Sequence, residues 1–246
     1  MKNIILTGCN GLIGQEFLKY FNNKKFNLIL VDKSFKKTLK NKNLFYYKCN
    51  LNSQNSRTSF INKINKKFKN IDVLINNAAV TGASYQSGWN TNFEQQSMRY
   101  WVETFEVNVT SIFHFSQKFF KLLRNSKNPV IINIASLYGV YAPDFKIYKN
   151  TNLNNPAAYS VSKAALIYLT KWLSRAMSPK VRVNSISPGG VENNHSKKFK
   201  KQYLSKTLLK KMIKPEDIIS LVEFLMTEKS NKITGQNFLV DGGWNG

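Results

Sequence analysis

The chain has 246 residues and a formal net charge of +24, from 37 Lys and Arg against 13 Asp and Glu. This length suits a single α/β domain with a sizeable core, and a hydrophobic content of 42% is ordinary for a globular protein. No apolar run is long enough to span a bilayer, and the two cysteines, Cys9 and Cys49, form no CxxC pair or Cys/His cluster, so a soluble, cytoplasmic protein with neither a disulfide framework nor a metal site is expected.

In chain order, Lys2–Thr7 reads as a strand that ends in Gly8-Cys-Asn-Gly-Leu-Ile-Gly14 and runs into the amphipathic stretch Gln15–Phe21. Glycines at 8, 11 and 14 let the backbone turn sharply and approach a pyrophosphate, whose charge meets the free N–H groups at a helix start; Asn10, Leu12 and Ile13 share that turn. A second strand, Asn27–Val31, ends at Asp32, at the distance suited to an adenosine ribose. A carboxylate there accepts from the 2′-hydroxyl and repels a 2′-phosphate, which favours NAD(H) over NADP(H); the adjacent Lys33 pulls the other way.

Leu44–Lys48 is a third strand, closed by Asn50 and Leu51, and Asn52 or Ser53 caps the helix through Phe60, Ile61, Ile64 and Phe68. Ile71–Ile75 is a buried strand ending in Asn76-Asn77-Ala78-Ala79, whose small residues let the chain pass close to a flat ligand. The next helix runs through Trp101, Phe105, Val109, Ile112 and Phe113 with Asn108 in its middle, a mediocre helix former that needs either solvent or a specific role. Pro129–Ile134 is a fifth strand, followed at its C-terminal end by Ser136.

Between Leu137 and Asn155 lies a segment rich in Tyr, Lys and Asn, and a helix then runs from Ala157 through Met177. On that helix Tyr159 and Lys163 stand four residues apart on one face, so the ammonium can approach the phenol and favour its ionised form. A bare Tyr-x-x-x-Lys arises often by chance, and its meaning depends on the rest of the chain. Val181–Ile186 is the sixth strand, ending at Pro188-Gly-Gly190. A basic, irregular stretch follows from His195 to Lys211, Pro215 opens a further helix, and Asn237–Val240 is the last strand.

Taken in this order, the pieces resemble the short-chain dehydrogenase/reductase family over essentially the whole length. Thr7-Gly8 with Gly11 and Gly14 is similar to the cofactor turn, Asn76-Asn77-Ala78-Ala79 to the family's NNAG, Pro188-Gly189 to its post-strand PG, and Val240-Asp241-Gly242-Gly243 to its C-terminal signature. The resemblance implies an α/β fold, a Rossmann-like doubly wound parallel sheet of about seven strands with helices on both faces, as one domain over residues 1–246. A substrate-loop region is expected at about 190–213.

The resemblance also implies roles. Asn108, Ser136, Tyr159 and Lys163 form a catalytic tetrad: Tyr159 handles the hydroxyl proton, Lys163 lowers its pKa and binds the nicotinamide ribose, Ser136 hydrogen-bonds the substrate oxygen, and Asn108 holds a relay water. Gly8, Asn10, Gly11, Leu12, Ile13, Gly14, Asp32, Asn50, Leu51, Asn77, Ala78, Tyr159, Lys163, Pro188, Gly189 and Val191 contact the cofactor. Some positions depart from the pattern. Leu12 replaces a common glycine, a spelling closer to that of sugar-nucleotide epimerases and dehydratases; Asn50 replaces an aspartate, and Asn193 a threonine.

The expected function is hydride transfer between nicotinamide and an alcohol/carbonyl pair by a homodimer or homotetramer. The segment after Ser136 resembles the branch linked to flagellin modification and nonulosonic-acid sugars. Tyr138, Tyr141 and Tyr148 are candidates to hold a sugar, and Lys197 and Lys198 to meet its phosphate or carboxylate. The rivals are a sugar-nucleotide epimerase or dehydratase, a non-catalytic nucleotide-sensing protein and a polyanion-binding protein. Lysines spread over nearly every predicted helix read as compositional drift, so no specific nucleic-acid partner is expected.

Overall fold

Side chains alternate along a strand, and this alternation sorts the apolar residues into two layers around one sheet. Lys2–Thr7 (β1), Phe26–Asp32 (β2), Leu44–Lys48 (β3), Val73–Asn76 (β4), Val130–Ile134 (β5), Arg182–Pro188 (β6) and Asn237–Val240 (β7) pair in parallel throughout, in the order β3-β2-β1-β4-β5-β6-β7. The computed structural model describes residues 1–22, 24–35, 38–81, 88–151 and 153–244. Ile4, Leu6, Leu28, Leu30, Val73 and Ile75 pack with Phe17 and Phe21 of α1 (Leu12–Asn22) and Ile218 and Val222 of α7 (Pro215–Leu225). Their neighbours Ile5, Ile29, Val31, Leu74, Ile131 and Val183 face the other layer. There they meet Phe60 and Ile64 of α2 (Gln54–Lys67), Phe115 and Phe119 of α4 (Ser111–Arg124) and Leu173 of α5 (Ala157–Ala176). Each such side chain contributes about 1.5–3 kcal/mol on full burial.

This is the doubly wound architecture the sequence predicts, with all seven strands where the apolar runs place them. Strand order reverses between β1 and β4, which opens a crevice at the C-terminal edge of the sheet. The glycine turn, Asp32, Asn50, Asn77, Ser136 and Gly189 all follow strand ends on that edge.

Two elements differ from expectation. The helix carrying Asn108 is not continuous: α3 (Met98–Phe105) passes through a π-helical turn, Glu106–Thr110, before α4 begins. The wider turn re-aims Asn108 into the interior, where protein partners satisfy its amide. The stretch after His195, expected to be irregular, contains a helix, α6 (Lys197–Leu204). The Ser196 hydroxyl accepts from the Phe199 N–H at 3.2 Å, and Phe199 and Tyr203, four residues apart, bury together. The lysines around these two anchors mask the helical period.

The segment from Leu137 to Asn155 folds into two short 3₁₀ turns, Leu137–Gly139 and Phe145–Tyr148; residue 152 lies outside the described residues. The second turn is fastened to α6 by the Tyr148 and Phe199 rings at 5.9 Å and by Lys206 and Asp144 at 2.8 Å. Beneath them Trp244 lies 4.6 Å from the Tyr203 ring, closing a satellite aromatic core.

Candidate active site

The cofactor end is built on close approaches between β1 and β4. Gly8 has φ +68°, and a Cβ there would lie 2.6 Å from the Ala78 Cα; one on Gly14 would lie 2.1 Å from the Gly8 carbonyl oxygen. Only glycine fits at these two positions. Thr7 Oγ1 accepts from the Asn77 and Ala78 N–H groups at 3.0 and 3.1 Å, and the Asn77 side-chain amide donates to the Thr7 and Gly8 carbonyls, both at 3.0 Å. This clasp holds the turn open over the start of α1, whose first N–H groups lack intrahelical acceptors. At Gly11 a Cβ would meet only the Gly8 oxygen, at 3.3 Å, so the mouth of the cradle stays clear.

Asp32 flanks that cradle with both carboxylate oxygens oriented, one accepting from Asn10 N–H at 2.9 Å and the other from Lys33 N–H at 2.8 Å. Asn10 in turn donates its side-chain amide to the Ser34 carbonyl. Asn50 and Leu51 follow β3 as expected. The Asn50 side-chain oxygen accepts from Asn52 N–H at 3.1 Å and keeps one lone pair for a ligand. A glycine cradle, free helix N–H groups and an oriented carboxylate fit a dinucleotide. At the far end, Gly189 donates to the Val240 carbonyl at 2.9 Å and Gly190 to the Tyr203 hydroxyl at 2.6 Å, while Val191 bridges to Ile213. Pro188, Gly189 and Val191 thus form a wall held by both β7 and α6. Asn193 is exposed beyond it.

The four side chains expected to form the tetrad lie in the turn that follows β5, the π-helical turn and α5. Ser136 is buried after β5, and its Oγ accepts from Tyr138 N–H at 3.2 Å. Burial pushes the Tyr159 phenol up, and the Ser136 hydroxyl nearby opposes that rise. Lys163 is 2% exposed and donates to the Ile134 carbonyl at 2.8 Å, with its nitrogen 5.8 Å from the centre of the Tyr159 ring. Burial pushes this ammonium down to about 7. The ammonium is thus anchored to the backbone of β5 on the same face of α5 as the Tyr159 ring.

Asn108 is fully buried. Its Oδ1 accepts from Val80 N–H at 2.8 Å, and its Nδ2 donates to Ser162 Oγ at 3.0 Å and to the Val80 carbonyl at 3.4 Å. This side chain braces the segment after β4 against α5 between Tyr159 and Lys163; its amide hydrogens are engaged, and Oδ1 keeps one lone pair.

The expected substrate residues are divided. Tyr138 and Tyr148 share a 2.6 Å hydrogen bond between their hydroxyls and pack, with Tyr141, against the satellite aromatic core. Burial raises both phenols of that pair. Tyr138 and Tyr148 thus brace one another, while Tyr138 and Tyr141 also line the cavity of about 610 Å³ beside this core. Lys197 and Lys198 are exposed on the first turn of α6.

A family model described as enoyl-(acyl carrier protein) reductase matches residues 13–245. The chain belongs to the short-chain dehydrogenase/reductase family. It is 29% identical over 253 residues to the post-translational flagellin modification protein A of Campylobacter coli, a match covering 99% of this chain and 98% of that protein. A short-chain dehydrogenase from Leptospira borgpetersenii, solved with bound NAD+, superposes with a TM-score of 0.89 at 32% identity, covering 99% of this chain and 92% of its own. A 4-hydroxyisoleucine dehydrogenase complexed with NADH gives 0.86 at 29%, with 99% and 98% covered. This member of the family is thus an oxidoreductase that works with a nicotinamide cofactor.

Sequence reasoning left out several residues that position this short-chain dehydrogenase/reductase site. Gly139 is one: a Cβ there would lie 2.7 Å from the Lys163 carbonyl carbon, so the turn carrying Ser136 sits directly on α5. Ser162 and the Ile134 carbonyl are others, since neither has a motif of its own and sheet order alone brings them in.

Proposed function

We propose that this protein catalyses reversible hydride transfer between an alcohol/carbonyl pair and NAD(H), with Tyr159 as the proton-exchanging group and Ser136 as hydrogen-bond donor to the substrate oxygen. The observation that carries the reading is the 3₁₀ turn after Ser136 seated directly on α5, where Tyr159 stands one turn before the buried Lys163, at the C-terminal edge of the sheet. The cofactor, when bound, supplies or takes up hydride at the substrate carbon. The protein's part is proton exchange at the phenol oxygen, a fixed donor at the serine hydroxyl and a nearby positive charge. Of the three Lys163 donors, one is held by Ile134, leaving two for ribose hydroxyls and for the phenol side of the site. Asn108 holds α5 in register.

NAD(H) is preferred over NADP(H) in this reading because Asp32, already oriented by two backbone N–H groups, opposes a 2′-phosphate. The proposed substrate is an acidic or nucleotide-activated sugar, and the enzyme acts in the cytoplasm as a homo-oligomer. The exposed Lys197 and Lys198 and the similarity to a flagellin modification protein support the substrate class. The test is a screen of small ketones, alcohols and nucleotide-activated sugars with purified protein, followed by NADH absorbance. Turnover of a sugar substrate that is lost in Tyr159→Phe supports the assignment. Wild-type turnover in that variant sinks it.

A further inference from the structure

A buried charge outside the catalytic group connects the two ends of the site. Arg57, in the first turn of α2, is 3% exposed. Its Nη1 donates both to the Leu51 carbonyl and to Glu106 Oε2, the latter at 2.9 Å, and its Nε lies 3.4 Å from His114 Nδ1. The same turn of α2 grips the loop a second time, because Ser56 Oγ accepts from Asn50 N–H at 2.9 Å. Asn50 and Leu51 form the loop after β3, expected to contact the cofactor on the Asp32 side and so its adenosine half. Glu106 is the first residue of the π-helical turn, and two residues on, Asn108 reaches Val80 at the end of β4 and Ser162 on the catalytic helix.

We infer that Arg57 and Glu106 are positioning residues that couple occupancy of the adenosine end to the placement of Asn108 and the catalytic helix. Arg57 is 3% exposed but Glu106 is 34% exposed, and a pair with one partner open to solvent contributes little stability by itself. This pair instead ties a ligand-contacting loop to the one irregular turn in the long helix, and the π-helical turn is the element whose setting both ends bias. Loss of the arginine would leave Leu51 and Glu106 free to move independently.

The inference rests on the cofactor reading, so its test uses the two halves of the cofactor as separate probes. Reduced nicotinamide mononucleotide is titrated by fluorescence with and without saturating adenosine monophosphate. Wild-type protein should bind the nicotinamide half about five-fold or more tightly when the adenosine half is present, and the same factor should appear in reverse. In the double variant Arg57→Met, Glu106→Leu, which removes both charges together and so keeps the fold, each half still binds and the factor falls to about one. Glu106→Gln, which retains the arginine–carbonyl bond, should give an intermediate factor, and it serves alone where the double variant does not fold. A purely structural role would lower Tm without moving the factor. An unchanged factor in the folded variants, or independent binding of the two halves in wild type, overturns the coupling. Failure of wild type to bind either half or NADH overturns the cofactor reading itself.

Discussion

Because the Lys163 ammonium is buried against a single carbonyl, it titrates near 7 instead of near 10.5, while the unfolded chain keeps the ordinary value. Below pH 7 both states hold the proton and the full cost of burial is present. Between about 7 and 10.5 the unfolded state holds more protons, so stability rises with pH. Tyr159 reverses the trend above about pH 10, since its phenol stays protonated in the fold after the unfolded one ionises. Thermal melts of cofactor-free protein should therefore show Tm climbing from neutral pH and turning over near pH 10, as far as these two groups decide it. Lys163→Met should remove the climb and raise stability at pH 7 by a few kcal/mol while abolishing turnover. Tyr159→Phe should lower turnover by ~10² or more and leave NADH binding close to wild type, as checked by fluorescence titration, because only the ionisable oxygen is removed from a ring that still packs.

At the level of elements, the 3₁₀ turn Leu137–Gly139 places Ser136 by resting on α5. Gly139→Ala drives a Cβ to 2.7 Å from the Lys163 backbone, so the turn must lift. The expected result is a cost of about 1–3 kcal/mol in denaturant melts, with a fall in kcat larger than the change in cofactor affinity. Ser196→Ala removes the α6 cap and should cost about 1 kcal/mol. These elements also mark where the sequence was readable. Tyr159 and Lys163 were legible because the helical period alone puts them on one face. Gly8 and Gly14 were legible because a turn between strand and helix must have them. The Lys163 anchor was not, since the Ile134 carbonyl reaches it only through the order of β5 and α5 in space. The π-helical turn was hidden as well, because Asn108 looks like any polar interruption until Val80 and Ser162 are known to face it. The α6 helix was disguised by its lysines, although the Phe199–Tyr203 spacing carried the signal.

Across the whole molecule, the charge of +24 should oppose association unless copies meet where charge is sparse. On α5 and α4, Tyr168, Trp172, Val161 and Phe113 are 71%, 51%, 45% and 39% exposed, with the Phe113 and Trp172 rings 6.4 Å apart. Val161 also borders a cavity of about 610 Å³, lined by Phe93, Val140 and Phe145 and by no charged residue, and neither Ser136 nor Tyr159 lines it. In the homo-oligomer proposed above, the exposed rings of α4 and α5 would form a seam between copies, while Tyr138 and Tyr141 line the adjoining cavity. Tyr168→Glu with Trp172→Glu should shift the protein to monomer in light scattering while its fold persists; an unchanged mass would remove this face from the assembly. The parallel sheet has a further consequence, for the order in which the molecule can be made. β1 lies between β2 and β4, and its register sets Ile4 opposite Val73, so β1 waits for roughly seventy residues before its inner edge is covered. The glycine cradle can close at that moment, since Thr7 then has Asn77 to hold. The Gly189 wall cannot, because its anchoring carbonyl belongs to Val240. During synthesis the glycine turn should therefore find its partners before the Gly189 wall does, with the wait for distant partners setting the pace.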